Sequence, residues 1–240
     1  MTVKSGWIRC VVLCGGLMAG QAFADCTPAT LAGQQDLSVC KDWPAYPGLI
    51  LSAEARLKHG GAQALDTYDV DVAVLQGVQP DPVATYHQAA AITLDGVSLQ
   101  ELTLDTARYK LTPELRAFGV RATLSNGSRL IPLEENQLSL YVREGAKLRP
   151  VLSQLVVYRY GGEWDGECTG ERYETSRTLE IGKTSSHGYA DLIVKTQETG
   201  TSNVVKGADC EDKITVYDPV LTTLRYDGKS YVLPKGFKGD

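Results

Sequence analysis

The stretch Tyr68-Asp69-Val70-Asp71-Val72-Ala73-Val74-Leu75 decides the fold. Val70, Val72 and Val74 recur at every second position against Asp69 and Asp71. A strand places such residues on one face, whereas a helix would scatter them around its cylinder. The preceding segment repeats the pattern, with Leu49, Leu51, Ala53, Ala55 and Leu57 alternating with Ile50, Ser52, Glu54, Arg56 and Lys58. Despite its helix-friendly composition it reads as a strand by the same period. The alternation returns in Gln137 to Arg143, through Leu138, Leu140 and Val142, and in Ser153 to Tyr160. Ala84 to Leu94, Gly119 to Leu124, Arg172 to Ile181, Tyr189 to Thr196, Lys213 to Tyr217 and Val220 to Leu233 complete the predicted strands.

Three dipeptides that tolerate positive φ punctuate these runs. Asp95-Gly96 is expected to join Ala89–Leu94 to Val97–Leu99, Asn126-Gly127 to join Gly119–Leu124 to Arg129–Leu133, and Asp227-Gly228 to join Leu221–Tyr226 to Ser230–Leu233. Each matches the twist of a β-hairpin. In Val97, Leu99, Leu102 and Leu104 the alternation slips phase across Gln100 and Glu101, which predicts a β-bulge. A single helical turn is expected at Thr112-Pro113-Glu114-Leu115-Arg116, from a Thr cap and Pro at the first helical position. Pro44–Gly48, Gly161–Gly170 and Gly200–Glu211 read as loops. The fold class is therefore all-β: an antiparallel, hairpin-rich sandwich or small propeller-like domain with very little helix.

Residues 1–24 read as a secretory signal peptide: Lys4 and Arg9 precede the uncharged run Cys10–Gly20, and Ala22-Phe23-Ala24 supplies small residues for cleavage. The uncharged run is shorter than the ~20 residues a spanning helix needs, so no stable membrane insertion is expected. Cleavage would leave 216 of the 240 residues as a single exported β domain, 25–240, with a subdivision near 145–165 as the alternative. The leader holds two basic and no acidic residues, so the net charge falls from −5 to −7 without it. An acidic chain with no basic run offers nothing to a phosphate backbone, which argues against nucleic acid and permits a basic protein as partner; for an exported chain that partner is expected to be an envelope or secreted protein.

Cys26, Cys40, Cys168 and Cys210 remain after cleavage. Short loop closure favours Cys26–Cys40 and Cys168–Cys210, each contributing about 2–4 kcal/mol. The absence of a Cys-x-x-Cys pair, with His59, His87 and His187 all distant from any Cys, argues against zinc. No cofactor is expected, because the nucleophile-elbow, phosphate-loop and dinucleotide patterns are missing from the sequence.

Two stretches bear a family likeness. His187-Gly188-Tyr189-Ala190-Asp191-Leu192-Ile193-Val194, followed by Leu224-Arg225-Tyr226-Asp227-Gly228-Lys229-Ser230-Tyr231-Val232, resembles the repeats of integrin-type (FG-GAP) propellers. That resemblance implies a propeller blade. The family's acidic calcium loop is not matched, since Gly182-Lys183-Thr184-Ser185-Ser186 contains no acid. The mature chain, with Leu104–Tyr109, Ala117–Arg121 and Gly162–Cys168, also resembles exported proteins of Gram-negative bacteria. A periplasmic or secreted location is what the cleavable leader predicts, and this second likeness agrees with it.

The candidate site is Tyr158, Arg159, Tyr160, Trp164 and Asp165. Aromatic and Arg side chains dominate interface energetics, and the glycines around Trp164 would let a loop present it. The competing structural role for Trp164 is to close the core beside the Cys168 disulfide. Two function classes follow: a non-enzymatic binding protein of inhibitor or immunity type, or an envelope hydrolase. The second would draw paired carboxylates from Asp69 and Asp71, Glu134 and Glu135, or Glu163, Asp165 and Glu167. Ser185 and Ser186 stand beside His187, but adjacent strand positions point to opposite faces, which disfavours a direct hydroxyl–imidazole pairing, and His187 reads as a loop histidine.

Overall fold

A computed structural model describes residues 26–238 apart from 63 and 78–80. The signal-peptide assignment thus lies outside the described residues. Twelve strands form one mixed sheet: β1 (Leu37–Asp42), β2 (Leu49–Lys58), β3 (Thr67–Gln76), β4 (Pro82–Thr93), β5 (Ser98–Asp105), β6 (Phe118–Ser125), β7 (Leu133–Glu144), β8 (Lys147–Trp164), β9 (Gly170–Ser186), β10 (Tyr189–Lys206), β11 (Asp209–Val216) and β12 (Val220–Leu224). The all-β reading holds, and among the described residues there is no helix. No helix there is long and apolar enough to cross a membrane.

The sheet order is β1-β2-β3-β4-β8-β7-β6-β5, with β9, β10, β11 and β12 extending from β8. Among the described residues the strand pairings are antiparallel except for one parallel bridge, Thr85 to Lys147, between β4 and β8. The sheet curls so that β1 and β2 approach β5, without closing into a barrel. Inside this curl lies a first core containing Trp43, Leu51, Val72, Val74, Phe118 and Tyr141. Trp43 meets Phe118 edge-on at 5.1 Å, an arrangement aromatic quadrupoles favour. A second core, with Leu138, Leu140, Val142, Leu155, Leu192 and Leu224, is closed by Tyr226, Tyr231 and Phe237 from the C-terminal segment.

One strand separates the two cores. On β7, Leu138, Leu140 and Val142 enter the second core while Tyr141 enters the first, as two-residue periodicity requires. On neighbouring β6, Phe118, Val120, Ala122 and Leu124 face the first core. Gly119, on its other face, lies where a Cβ would stand 2.7 Å from Leu138 Cδ1, so glycine lets the second core press against β6.

Both disulfides pair as loop closure favours, Cys26–Cys40 and Cys168–Cys210, with Cα separations of 6.0 and 5.6 Å. The bulge at Gln100 is present as a register shift between Leu99 and Glu101. Other expectations change. Asp95-Gly96 does not make a hairpin, because β4 pairs with β3 and β5 with β6, and the turn carries the chain from one part of the sheet to another. Asn126-Gly127 does open a β6–β7 hairpin, with β7 starting at Leu133 rather than Arg129. At Asp227-Gly228 the turn closes only a Tyr226–Tyr231 bridge, and β12 stops at Leu224.

The helical turn at 112–116 is absent. Thr112 Oγ1 does accept from the amides of Glu114 and Leu115, as a cap would. Leu111 and Ala117, however, are drawn into the second core, and the Leu111 and Thr112 amides both donate to Leu115 O. Fixing both ends leaves a tight loop with a Lys110–Arg116 bridge. Gly161–Gly170 is mostly strand, with only 165–169 between β8 and β9. Gly200–Glu211 is the β10–β11 hairpin, turned at Gly207 with φ +68°.

Candidate functional site

Strand alternation divides the five residues chosen from the sequence. Tyr158, Tyr160 and Trp164 share one face of β8, and Arg159 lies on the other. Arg159 stands 3.8 Å from Glu135 Oε2, a carboxylate that is itself buried and accepts from Gln137 Nε2 at 2.7 Å. Arg159 is thus half-buried and anchored on a buried carboxylate, on the face of β8 away from Trp164. Tyr158 and Tyr160 are half-buried on the β7–β8–β9 ribbon, opposite Asn136 and Glu134 on β7.

Trp164 ends β8. It belongs to neither core and is half-buried, so the core-closing role does not describe it. The Arg172 guanidinium lies over its ring at 4.8 Å, a cation–π contact. Arg172 in turn donates to Asn203 Oδ1 at 2.9 Å and stands 3.9 Å from Asp212, and Asn203 bonds Asp212. These links run from β8 across β9 and β10 to β11 and fix the ring's orientation. The flanking glycines serve the hairpin: a Cβ on Gly162 would meet Glu171 O at 2.2 Å, and one on Gly170 would meet Glu163 O at 2.4 Å. They permit close strand approach, whereas presentation of the loop falls to Gly166, with φ +88°.

Asp165 is a structural carboxylate. Its Oδ1 accepts from the backbone amides of Glu167, Cys168 and Thr169 at 2.8, 3.0 and 3.0 Å, which is how an Asx turn organises a loop. Hydrogen bonding to its charged form, led by the Glu167 amide, holds its pKa below the ordinary value. The Asp69 and Asp71 carboxylates are likewise engaged. Asp71 accepts from Arg56 and bonds His87 Nδ1 at 2.8 Å, and Asp69 Oδ1 accepts from the Ala90 amide at 2.9 Å. His187 sits with Gly188 in the two-residue β9–β10 turn, both at positive φ, and its Nδ1 lies 2.9 Å from Tyr226 O.

Beside Trp164 the structure adds two residues that the sequence reading had assigned to a strand. Leu130 and Ile131, in the β6–β7 loop, are 51% and 60% exposed. Asn126 holds that loop through Nδ2 to Ile131 O at 2.7 Å, and the Trp164 amide donates to Leu130 O at 2.8 Å. Together they line a shallow groove of about 530 Å³ with Trp164, rimmed by Glu163, Asp165 and Glu171. The only sequence signal for this was an adjacent pair of large apolar residues inside a turn, just before Pro132.

Compared with known protein families, with curated proteins and with solved structures, the chain finds no match.

Proposed function

We propose that the protein is a non-enzymatic binding protein of the periplasm or extracellular space, of inhibitor or immunity type, that captures a partner protein at its Trp164 end. The observation that carries this reading is the exposure of Leu130 and Ile131 against Trp164 inside an acidic rim. Exposed apolar side chains grouped around an aromatic, with polar residues at the margin, are the anatomy of a protein interface. The rim carboxylates and the net charge of −5 select for a basic partner segment carrying an apolar anchor. Arg172 prepositions the indole, so less side-chain freedom is lost on binding. The two disulfides fit an oxidising compartment.

Immobilised protein lacking residues 1–24 is used to capture partners from envelope extract, beside a Trp164→Ala variant and a Leu130→Asp, Ile131→Asp variant. A basic protein retained by the native chain, released by salt and retained at least about tenfold less by both variants is the expected result. Equal retention by all three proteins, with circular dichroism confirming that each is folded, would remove this surface from the function.

A further inference from the structure

A second cavity, of about 450 Å³, opens further along β9 from the Trp164 groove, between β9, β10, the β11–β12 connection and the C-terminal segment, and shares no lining residue with that groove. Arg177, Thr196, Glu198, Tyr217, Asp218 and Phe237 line it. Arg177 on β9 and Thr196 on β10 are direct cross-strand partners. Glu198 follows Thr196 by two residues on the same face, about 7 Å further along the strand. Tyr217 is held over this floor by its amide bonded to Glu198 O at 3.0 Å and by Gln197 Nε2 bonded to its carbonyl at 2.5 Å.

Charge and polarity in the cavity are left unbalanced. The Arg177 guanidinium lies 4.5 Å from the Phe237 ring and donates to Val156 O at 2.8 Å and to Gly236 O at 3.5 Å, yet among the described residues it forms no ion pair with Glu198 or Asp218. Thr196 is only 8% exposed, and its Oγ1 has no hydrogen-bond partner. A buried hydroxyl without a partner is costly and marks a position where a ligand atom would be satisfied. The cavity thus offers a cation and an orphan hydroxyl beside Phe237, and carboxylates beside Tyr217 further along β10.

We propose that this cavity binds a free α-amino acid with an apolar side chain. The ligand carboxylate accepts from Arg177 and Thr196, its ammonium donates to Glu198 and Asp218, and its side chain packs on Phe237 and Tyr217. An α-amino acid separates its charged groups by about 3 Å, and a charge-assisted hydrogen bond of about 2.8 Å at each end brings the span near that between Thr196 and Glu198. A ligand with a single charge would leave one end of the cavity uncompensated.

The test is calorimetry and amide chemical-shift mapping with L-leucine up to about 10 mM, beside N-acetyl-leucine and leucinamide, each of which lacks one charge. The expected result is leucine binding with shifts at Thr196, Glu198 and Tyr217, and at least about tenfold weaker binding of both derivatives. Glu198→Gln, an exposed substitution that spares the strand, is expected to weaken leucine about tenfold while leaving N-acetyl-leucine unchanged. No shift with leucine, equal affinity for all three compounds, or indifference to Glu198→Gln would each overturn the proposal. The outcome is independent of partner capture at Trp164, because neither Trp164 nor Leu130 lines this cavity.

Discussion

Asp105, at the end of β5, is one side chain that fastens separate segments. Its Oδ2 accepts from Tyr109 Oη at 2.8 Å and from Arg121 Nε and NH2 at 2.9 and 2.7 Å, and its Oδ1 accepts from the Ala107 amide at 2.9 Å. Burial alone would push this carboxyl up, but the hydrogen bonds from Ala107, Tyr109 and Arg121 together with the guanidinium charge outweigh it and hold the pKa below its ordinary value. A carboxylate depressed in the folded state stabilises fully above its unfolded pKa, about 3.9, and that contribution is lost as pH falls through the folded value. Asp105→Asn is therefore expected to cost about 1–3 kcal/mol at pH 7. The difference from native protein should shrink below about pH 4, as urea midpoints at several pH values would report. A penalty that stays constant down to pH 2 would show that geometry, rather than charge, is what the variant loses. Nothing in the sequence distinguishes Asp105 from the other acidic residues, because its partners come from a loop and from the neighbouring strand.

At the scale of elements, whatever depends on two-residue periodicity was legible. The strands at 49–58 and 67–76, the bulge beside Gln100 and both cysteine pairings follow from local pattern and loop closure. Partner choice was not legible: Asp95-Gly96 has hairpin chemistry, yet β5 finds β6, whose apolar Val120, Ala122 and Leu124 share the first core with it. Of the β10–β11 hairpin the sequence pattern marks only Lys213–Val216 as strand and reads Gly200–Glu211 as a loop, for a related reason. Every residue of β11 is exposed, so no burial imposes the alternation by which strands are recognised. The same fact makes that hairpin dependent on its staple, since Cys168–Cys210 ties the β8–β9 loop to the start of β11. In a Cys168→Ser, Cys210→Ser variant, hydrogen exchange at Asn203, Val205 and Ile214 is expected to accelerate at least about tenfold while Leu138 and Leu140 on β7 keep their protection. Equal loss in both regions would instead make the hairpin part of the cooperative core. The Arg177 cavity was illegible for want of any local motif, because its walls come from β9, β10, the segment after β11 and the C-terminal segment.

For the whole molecule the decisive feature is that two hydrophobic cores share one wall. Leu138, Leu140 and Val142 on β7 are fully buried in the second core, and Tyr141 between them is buried in the first. Loss of order in either core removes the support of the strand that the other needs, so both should unfold together. The tryptophans allow a direct test, because Trp43 reports from the first core and only Trp164 would share its signal once residues 1–24 are removed. In a Trp164→Phe background, Leu140→Ala deletes packing from the second core alone and is expected to cost about 2–5 kcal/mol. Trp43 fluorescence and far-ultraviolet circular dichroism should then shift by the same amount along the urea axis. A Trp43 transition that stays in place while the dichroism splits in two would mean that β7 holds the first core without help from the second.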